Sequence, residues 1–318
     1  MKHAIVVFVL AFGAGVLLYP AYLSLLVRGR MRQHVAEYGP ATHRAKEGTP
    51  TLGGALFCAA AVVAWLVFDR SREGFLAIFA LLGGAAIGAV DDLVNVSGLR
   101  LGLPAWHKLA TQAFVGLLLG IGLAIAGFTH QYFPGLGAPD LGWGMAVVAM
   151  FAVVAASNAV NLTDGVDGLA ATCTGLVFFG ITLIGVRDSD LAVTVIAAAL
   201  TGAVAAFAVY NWHPARLFMG DTGSLALGCV MVALSAEVHL LWLLPLLGIV
   251  FVVEALSVVI NVTAIRRYGR RVLRASPLHH HFEEMGLREQ RLVTAFAFVA
   301  ALGTLLTVLF ARSQTPAG

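Results

Sequence analysis

Residues 191–210 read LAVTVIAAALTGAVAAFAVY and contain no charged side chain. A helix needs about 20 apolar residues to cross a bilayer, so this stretch predicts a membrane-spanning helix. The whole chain has the same character, because 59% of its 318 residues are hydrophobic, 12% are charged and the mean hydropathy is +0.89. A soluble domain carries about 25% charged residues. We therefore predict an all-α, polytopic protein that lies in the lipid bilayer as a single integral membrane domain over residues 1–318.

Long apolar runs recur along the chain, and the length rule predicts ten transmembrane helices. The eighth and ninth are the least securely separated, since only Glu237 and His239 interrupt the apolar run between them. The first run follows Lys2 and resembles a signal peptide, but it continues for more than 20 residues without a small-residue cleavage site and is interpreted as the first membrane helix. The predicted spans are approximately 4–27, 52–68, 75–90, 107–126, 142–160, 169–186, 191–210, 222–236, 240–262 and 291–311.

The distribution of lysine and arginine predicts the orientation of these helices. With the loops numbered from the N-terminus, the odd-numbered loops and their helix ends carry 15 of the 20 basic residues. Cytoplasmic loops are enriched in Lys and Arg, so the odd loops are predicted to be cytoplasmic and both termini to lie outside. The ninth loop, residues 263–290, is the longest of these cytoplasmic loops. The basic residues on the other side are Lys2, Arg70, Arg72, Arg187 and Arg312.

Two features of the composition narrow the function. The formal net charge is only +3, which argues against a nucleic-acid-binding protein because such a protein would present a basic face. The three cysteines, Cys58, Cys173 and Cys229, all lie in apolar runs without a CxxC pattern. We interpret them as small buried hydrophobic residues.

Polar clusters occur in four of the odd loops, and therefore face one compartment in the predicted topology. A single shared site at the cytoplasmic surface of the membrane would require this arrangement. The clusters are AVDDLVN (residues 89–95), SNAVNLTDGVDGLA (157–170), NWHPARLFMGDTGSLALG (211–228) and SPLHHHFEEMG (276–286).

Each cluster also has a simple structural interpretation. Adjacent carboxylates such as Asp91 and Asp92 often mark a solvated helix end, and Asp-Gly pairs form turns. Asp221 precedes an apolar run and could be a helix N-cap, although a helix N-terminus also attracts phosphate. Together, carboxylates without thiolates indicate a hard cation such as Mg²⁺, which binds one or two carboxylates plus substrate phosphates. No P-loop motif is present, so a phosphorylated lipid is a more natural substrate than ATP.

These motifs, together with GPATHRAKEGTPTLGG at residues 39–54, resemble the polyprenyl-phosphate N-acetylhexosamine-1-phosphate transferases. Within that family they are most similar to the transferases of phospho-N-acetylmuramoyl-pentapeptide. The resemblance implies ten transmembrane helices, a cytoplasmic active-site cleft in the bacterial inner membrane, and a homodimer. It also implies an Mg²⁺-dependent transfer from UDP-MurNAc-pentapeptide to undecaprenyl phosphate, which gives lipid I and UMP in peptidoglycan synthesis.

The resemblance also assigns roles to individual residues. Its aspartate pair corresponds to Asp91 and Asp92, and its metal-binding aspartate corresponds to Asp221. We expect Asp91 to position or deprotonate the lipid phosphate and Asp92 to share in metal or phosphate placement. A covalent aspartyl intermediate remains an alternative. The implied substrate-binding positions are Lys46, Thr51, Lys108, Asn161, Leu162, Asp164, Asp167, Asn211, Phe218, Gly220 and His281.

The three consecutive histidines are the most unusual element of the ninth loop. Imidazoles beside a pyrophosphate can donate hydrogen bonds without a permanent charge. We expect His279 and His280 to belong to the catalytic site and to contact substrate, and His281 to be more structural. A zinc site at this run is disfavoured because no thiolate accompanies it.

The sequence departs from the family at one point. Relatives often have a lysine three residues after the second aspartate, where this chain has Asn95. Lys108 or Arg100 is expected to supply the missing charge.

Two other functions fit parts of the sequence. A UDP-GlcNAc:polyprenyl-phosphate GlcNAc-1-phosphate transferase shares the aspartate motifs, and only the histidine and NLTDGVDGLA motifs disfavour it. A membrane transporter would carry ionisable residues in the middle of its helices. Glu254 is the one acid deep within a predicted span, and it is interpreted either as a hydrogen-bonding partner in helix packing or as part of a lipid groove.

Overall fold

The computed structural model describes residues 1–31, 48–98, 102–133 and 135–312, and this part of the chain is helical. Within it no strand forms, and isolated β-bridges join His130 with Asp140 and Phe133 with Gly137. The predicted all-α class is therefore confirmed. The helices are α1 (Lys2–Arg28), α2 (Gly54–Phe68), α3 (Arg72–Val96), α4 (Ala105–Ile125), α5 (Gly144–Thr163), α6 (Leu169–Asp188), α7 (Leu191–Asn211), α8 (Gly220–Glu237), α9 (Ile249–Tyr268), α10 (Leu278–Glu284) and α11 (Glu289–Arg312).

Eight of the described helices are long and apolar enough to cross a membrane, namely α1, α3, α4, α5, α6, α7, α9 and α11. The chain is a multi-pass membrane protein on this criterion. Helix α2 has only 15 residues, and α8 carries a polar first turn that includes Asp221. The count of ten spans stays a prediction, because it needs both α2 and α8 to be membrane-spanning.

Two predicted boundaries are wrong. Helix α3 does not end before Asp91 but continues to Val96, since Leu93 and Val94 extend its helical pattern. The ninth span was expected over residues 240–262, yet α9 begins at Ile249 and ends at Tyr268. Short helical turns at Leu241–Leu243 and Leu244–Leu247 precede it, because Pro245 favours a helix start and cannot continue one from before.

Helix α8 lies at the centre of the bundle, and every residue from Thr222 to Glu237 is buried. Glycines allow its neighbours to approach it closely. A Cβ atom added to Gly88 of α3 would lie 2.0 Å from the carbonyl oxygen of Asp221, and one added to Gly54 of α2 would lie 2.2 Å from the Cα atom of Gly223. Backbones can meet at these distances only without side chains between them. The start of α8 is thus fixed directly against α3 and α2.

The smaller sequence predictions agree with this fold. The first apolar run forms the 27-residue helix α1, which is long and apolar enough to span a membrane. Cys58, Cys173 and Cys229 are free and buried, which confirms their interpretation as small hydrophobic residues.

Candidate active site

The N-terminus of α8 is capped by a side chain from another helix. Asp92 of α3 accepts hydrogen bonds from the backbone N–H groups of Asp221 and Thr222, at 3.0 and 2.9 Å, and from the Thr222 hydroxyl at 2.6 Å. Asp221 itself lies within the first turn of α8 and is not its N-cap, so that interpretation is wrong. The free N–H groups at a helix start carry partial positive charge, which explains how the buried Asp92 carboxylate is stabilised.

The second aspartate of the pair has different partners. Asp91 accepts a hydrogen bond from the backbone N–H of Leu103 at 2.7 Å, and the ammonium nitrogen of Lys108 lies 3.4 Å from the same oxygen. Lys108 also donates a hydrogen bond to Asp221, so one ammonium group bridges two carboxylates from α3 and α8. The repulsion expected between Asp91 and Asp92 is thus relieved by a lysine on one side and a helix N-terminus on the other.

Asn161, at the end of α5, completes this group. Its amide nitrogen donates to Asp221 at 2.8 Å and to the hydroxyl of Ser224 at 2.9 Å. Three of the four polar clusters, from α3, α5 and α8, therefore meet around one carboxylate, together with Lys108 from α4. This confirms that distant parts of the chain converge on one site, as the sequence predicted.

The donor set around Asp221 fits a magnesium ion. Two carboxylates, those of Asp91 and Asp221, already face a common cation in the form of the Lys108 ammonium. Mg²⁺ is commonly bound by one or two carboxylates with substrate phosphates and water as the remaining ligands. Asp221 is the residue that would hold the ion, with Asp91 as its neighbour, because both bind the side-chain ammonium of Lys108; the third aspartate, Asp92, is instead directed at backbone N–H groups at the start of α8.

Asp167 lies in the loop between α5 and α6, where it contacts the loop between α7 and α8. Its carboxylate accepts from the backbone N–H of Ala215 at 3.0 Å and lies 3.1 Å from Nδ1 of His213. The same His213 nitrogen is 3.2 Å from the carboxylate of Glu289, the first residue of α11. Asp167 is only 5% exposed and is therefore held from several sides.

Asn211 and Phe218 define the shape of the loop before α8. Asn211 is 1% exposed, accepts from the N–H of Gly168 at 3.0 Å and donates to the carbonyl of Leu217 at 2.9 Å. Phe218 exchanges backbone hydrogen bonds with the segment before α2, through Pro50 and Gly53, both at 2.9 Å. Asn211 thus connects two loops, and Phe218 anchors a third segment to them.

The first histidine of the run is completely buried beside the acid of α9. Glu254 and His279 are both 0% exposed, and Nδ1 of His279 lies 3.2 Å from a Glu254 oxygen. The backbone N–H of His279 also donates to Glu254, at 3.2 Å. On its other side the ring meets the α5–α6 loop, where a Cβ atom added to Gly165 would lie 2.6 Å from Nε2. His279 therefore connects Glu254 of α9 with the α5–α6 loop, which also carries Asp167.

The other two histidines are less enclosed. Nδ1 of His280 lies 2.6 Å from the carboxylate of Glu283, one turn later in α10. Nδ1 of His281 accepts a hydrogen bond from the backbone N–H of Arg274 at 3.1 Å, which agrees with a structural role. His280 is the member of the run whose partly exposed ring is available for substrate contact, whereas His279 is shielded in this conformation.

Most of the remaining predicted residues lie next to this group. Thr51 is 1% exposed, and a Cβ atom added to Gly220 would lie 2.6 Å from its hydroxyl oxygen. Leu162 and Asp164 are half-buried at the end of α5, directly after Asn161. Lys46 and Arg100 lie outside the described residues, so their predicted roles are not addressed by the structure.

The sequence did not reveal several contacts of this site. His213 was placed in a polar cluster but given no role of its own, and Glu289 was not recognised, although an acid at a helix start is a visible signal. Asn158 was assigned to the polar cluster, but it donates to Gln112 of α4 at 2.7 Å, one turn before Asn161. Helix α9 continues to Tyr268 and so extends into the predicted ninth loop of residues 263–290.

An apolar groove approaches the site between α5 and α9. Its cavity measures about 520 Å³ and is lined almost entirely by hydrocarbon, including Phe151, Ala155, Trp242 and Phe251. Val160 also lines it, and the next residue of α5 is Asn161, whose amide binds Asp221. The groove therefore runs along α5 as far as the residue that precedes Asn161.

Comparisons with known proteins agree with these features. The sequence model described as glycosyl transferase family 4 matches residues 74–239, which include Asp91, Asp92 and Asp221. The chain is 42% identical to the phospho-N-acetylmuramoyl-pentapeptide-transferase of Oceanobacillus iheyensis, with 96% of each chain covered. It is 38% identical to those of Bacillus pumilus and Geobacillus kaustophilus, with 97% and 96% of this chain and 98% of each relative covered. On this evidence the chain belongs to the phospho-N-acetylmuramoyl-pentapeptide-transferase family.

Proposed function

We propose that this protein transfers phospho-MurNAc-pentapeptide from UDP-MurNAc-pentapeptide to undecaprenyl phosphate, which gives lipid I and UMP. The observation that carries the proposal is the convergence of Asp91, Lys108, Asn161 and Asp221, with an apolar groove along the same helix α5 that carries Asn161. The names of the relatives support the muramoyl-pentapeptide substrate over N-acetylglucosamine. The activity would serve peptidoglycan synthesis, and hence cell shape and division.

The groove between α5 and α9 suits the polyprenyl chain. Its lining is apolar, so an isoprenoid chain that lies in it is kept out of contact with water. Other lipid tails would compete with that chain for the same groove. Val160, which precedes Asn161, is one of the lining residues, so a chain that lies in the groove along α5 would have its phosphate end toward Asp91 and Lys108. This geometry supports a phospholipid-like acceptor rather than a soluble one.

The residues of the site have different roles in the proposed phosphoryl transfer. Lys108 neutralises the phosphates that enter between the two carboxylates, and Asp91 positions or deprotonates the acceptor phosphate. Asn161 holds the Asp221 carboxylate in place by its amide hydrogen bond. When bound at Asp221, Mg²⁺ would neutralise the charge that develops on the pyrophosphate. Asp92 keeps the start of α8, and with it Asp221, in position.

The nucleotide part of the donor would lie on the loops around Asp167 and Phe218. Asn211 holds the α5–α6 loop, which carries Asp167, and the α7–α8 loop, which precedes Gly220, together by its two hydrogen bonds. Leu162 lies at the end of α5, before the first of these loops. His280 is the histidine that would reach the pyrophosphate. Glu254, the one acid deep within α9, is buried against His279 and holds the histidine segment in place. This structural role for Glu254 favours an enzyme with its site at the membrane surface over a transporter.

The placement in the membrane is part of the same proposal. Ten transmembrane helices would span the bacterial inner membrane, with both termini outside, the active-site cleft open to the cytoplasm, and a homodimer as the assembly. Cysteine labelling of Ser97→Cys and Asp140→Cys in a background without native cysteines tests the sidedness. In the predicted topology an impermeant reagent labels Ser97→Cys in inverted vesicles and Asp140→Cys in right-side-out vesicles. Labelling of both variants in the same kind of vesicle would contradict this topology.

The activity itself is tested with protein in detergent. Purified protein, UDP-MurNAc-pentapeptide and undecaprenyl phosphate should give UMP only when Mg²⁺ is present. UDP-GlcNAc in place of the muramoyl donor serves as the matched control. UMP release from UDP-GlcNAc alone would favour the GlcNAc-1-phosphate transferase, and the absence of UMP release from either donor would disprove the proposal.

A further inference from the structure

A cluster of three side chains lies beside the carboxylates already described but does not include them. Asp167 comes from the α5–α6 loop, His213 from the α7–α8 loop and Glu289 from the first turn of α11. One ring nitrogen of His213 lies 3.1 Å from an Asp167 oxygen and 3.2 Å from a Glu289 oxygen. Within the described ranges this is the one set of three His, Cys, Asp or Glu ligand atoms that all lie within 4.8 Å of one another.

Two of the three separations between these atoms match those between ligands of a single metal ion, and the third pair, the two carboxylate oxygens, lies within 4.8 Å. Zinc lies about 2.0–2.1 Å from histidine nitrogen and about 2.0–2.2 Å from carboxylate oxygen. Two such ligands at angles between octahedral and tetrahedral values are about 3.0–3.4 Å apart. The observed 3.1 and 3.2 Å fall in that range.

The electrostatics of the cluster also favour a cation. Two carboxylates converge on one ring nitrogen of His213, and their side chains are only 4% and 15% exposed. A divalent ion bound between them would neutralise both carboxylates at once. The His213 ring is 42% exposed, so an ion and its water ligands can enter from solvent.

Asp167 is also supported from outside the cluster. The backbone N–H of Ala215 donates to the same Asp167 oxygen at 3.0 Å and fixes the direction of the carboxylate. Metal-binding carboxylates are commonly oriented by such neighbouring hydrogen bonds. One imidazole and two carboxylates without a thiolate suit borderline divalent ions such as Zn²⁺ and Mn²⁺.

We propose that Asp167, His213 and Glu289 form a second metal site, which binds a divalent transition-metal ion of the zinc class. The site is separate from the magnesium position at Asp221. Because Asp167 is also a predicted nucleotide contact, a bound ion competes with the nucleotide and inhibits turnover; this consequence rests on the proposed function, whereas the binding of the ion does not.

The binding is tested by calorimetric titration of Zn²⁺ into detergent-purified protein without substrate. An Asp221→Asn background removes the predicted magnesium ligand. In that background Glu289→Gln and His213→Asn should each weaken one Zn²⁺ site by about tenfold or more, because the loss of even a hydrogen-bonded partner of a ligand costs about 10–100-fold in affinity. Glu284→Gln, which changes an exposed acid of α10, is the matched control and should bind Zn²⁺ normally.

Competing sites and misfolding are separated by two further measurements. His280→Asn reports zinc bound by the histidine run; if it abolishes all Zn²⁺ binding while Glu289→Gln does not, the proposal is overturned. Retention of full Zn²⁺ affinity in both Glu289→Gln and His213→Asn overturns it as well. Thermal unfolding without metal identifies a variant that fails to fold, and the exposed His213 makes its variant the safer of the two. Inhibition of UMP release by Zn²⁺ that Glu289→Gln relieves would support the competition independently.

Discussion

Replacement of Asp92 by asparagine tests whether this residue acts mainly as the cap of α8. The carboxylate accepts three hydrogen bonds, two from backbone N–H groups and one from the Thr222 hydroxyl. An asparagine has one oxygen, so its NH₂ group must face at least one of these donors. The best orientation keeps the oxygen on Thr222 and loses the bond from the N–H of Asp221.

The size of the effect follows from these contacts. A hydrogen bond to a charged group contributes about 1.5–3 kcal/mol, and a negative charge at a helix N-terminus contributes about 0.3–1 kcal/mol. Asp92 is only 6% exposed, so water cannot replace the lost bond. We therefore expect Asp92→Asn to lower the free energy of unfolding by about 2–4 kcal/mol.

Thermal unfolding of the detergent-purified variant measures this loss. A decrease of 2–4 kcal/mol should lower Tm by about 4 °C or more. Thr222→Val removes only the hydroxyl donor and should give a smaller decrease, while Thr222→Ser keeps the hydroxyl and is the matched control. Turnover should also fall, because the position of Asp221 depends on this cap.

A different result would refute the reasoning. If Asp92→Asn unfolds at the temperature of the unmodified protein but loses Mg²⁺ binding, Asp92 acts as a metal ligand and the hydrogen bonds to α8 contribute little. That outcome would restore the role in metal placement that the sequence suggested for Asp92.

Three further predictions concern other contacts of the site. Gly88→Ala places a Cβ atom 2.0 Å from an α8 carbonyl and should lower Tm and turnover together, whereas Gly13→Ala, with no atom within 4 Å of its Cβ, should change neither. Lys108→Gln removes the cation between two carboxylates and should reduce UMP release by about 10²-fold, without weakening Mg²⁺ binding in a calorimetric titration. Glu254→Gln weakens a buried acceptor and should cost about 1–3 kcal/mol in thermal unfolding. Its effect should be strongly non-additive with His279→Gln in a double-mutant cycle, and simple additivity would show that the two residues are not coupled.

The sequence by itself determined the helical membrane class and the residues that matter most. Runs such as residues 191–210 can satisfy their backbone in lipid only as helices, so composition and run length are sufficient for that inference. The carboxylates at Asp91, Asp92 and Asp221 were identifiable because acids are costly next to a membrane and are retained where they have partners. Because the polar clusters all lie on one side of the predicted topology, the sequence also indicated that these carboxylates converge on one site.

Only the tertiary structure decided what each of these residues contacts. Asp91 and Asp92 are adjacent in sequence, yet one binds Lys108 and the other caps α8, because successive side chains on a helix point in directions about 100° apart. The pairing of Glu254 with His279 and the meeting of Asp167 with Glu289 depend on how distant helices pack. Local sequence determines the helix, whereas close approach between helices, permitted by glycines such as Gly88, determines which polar groups share a site.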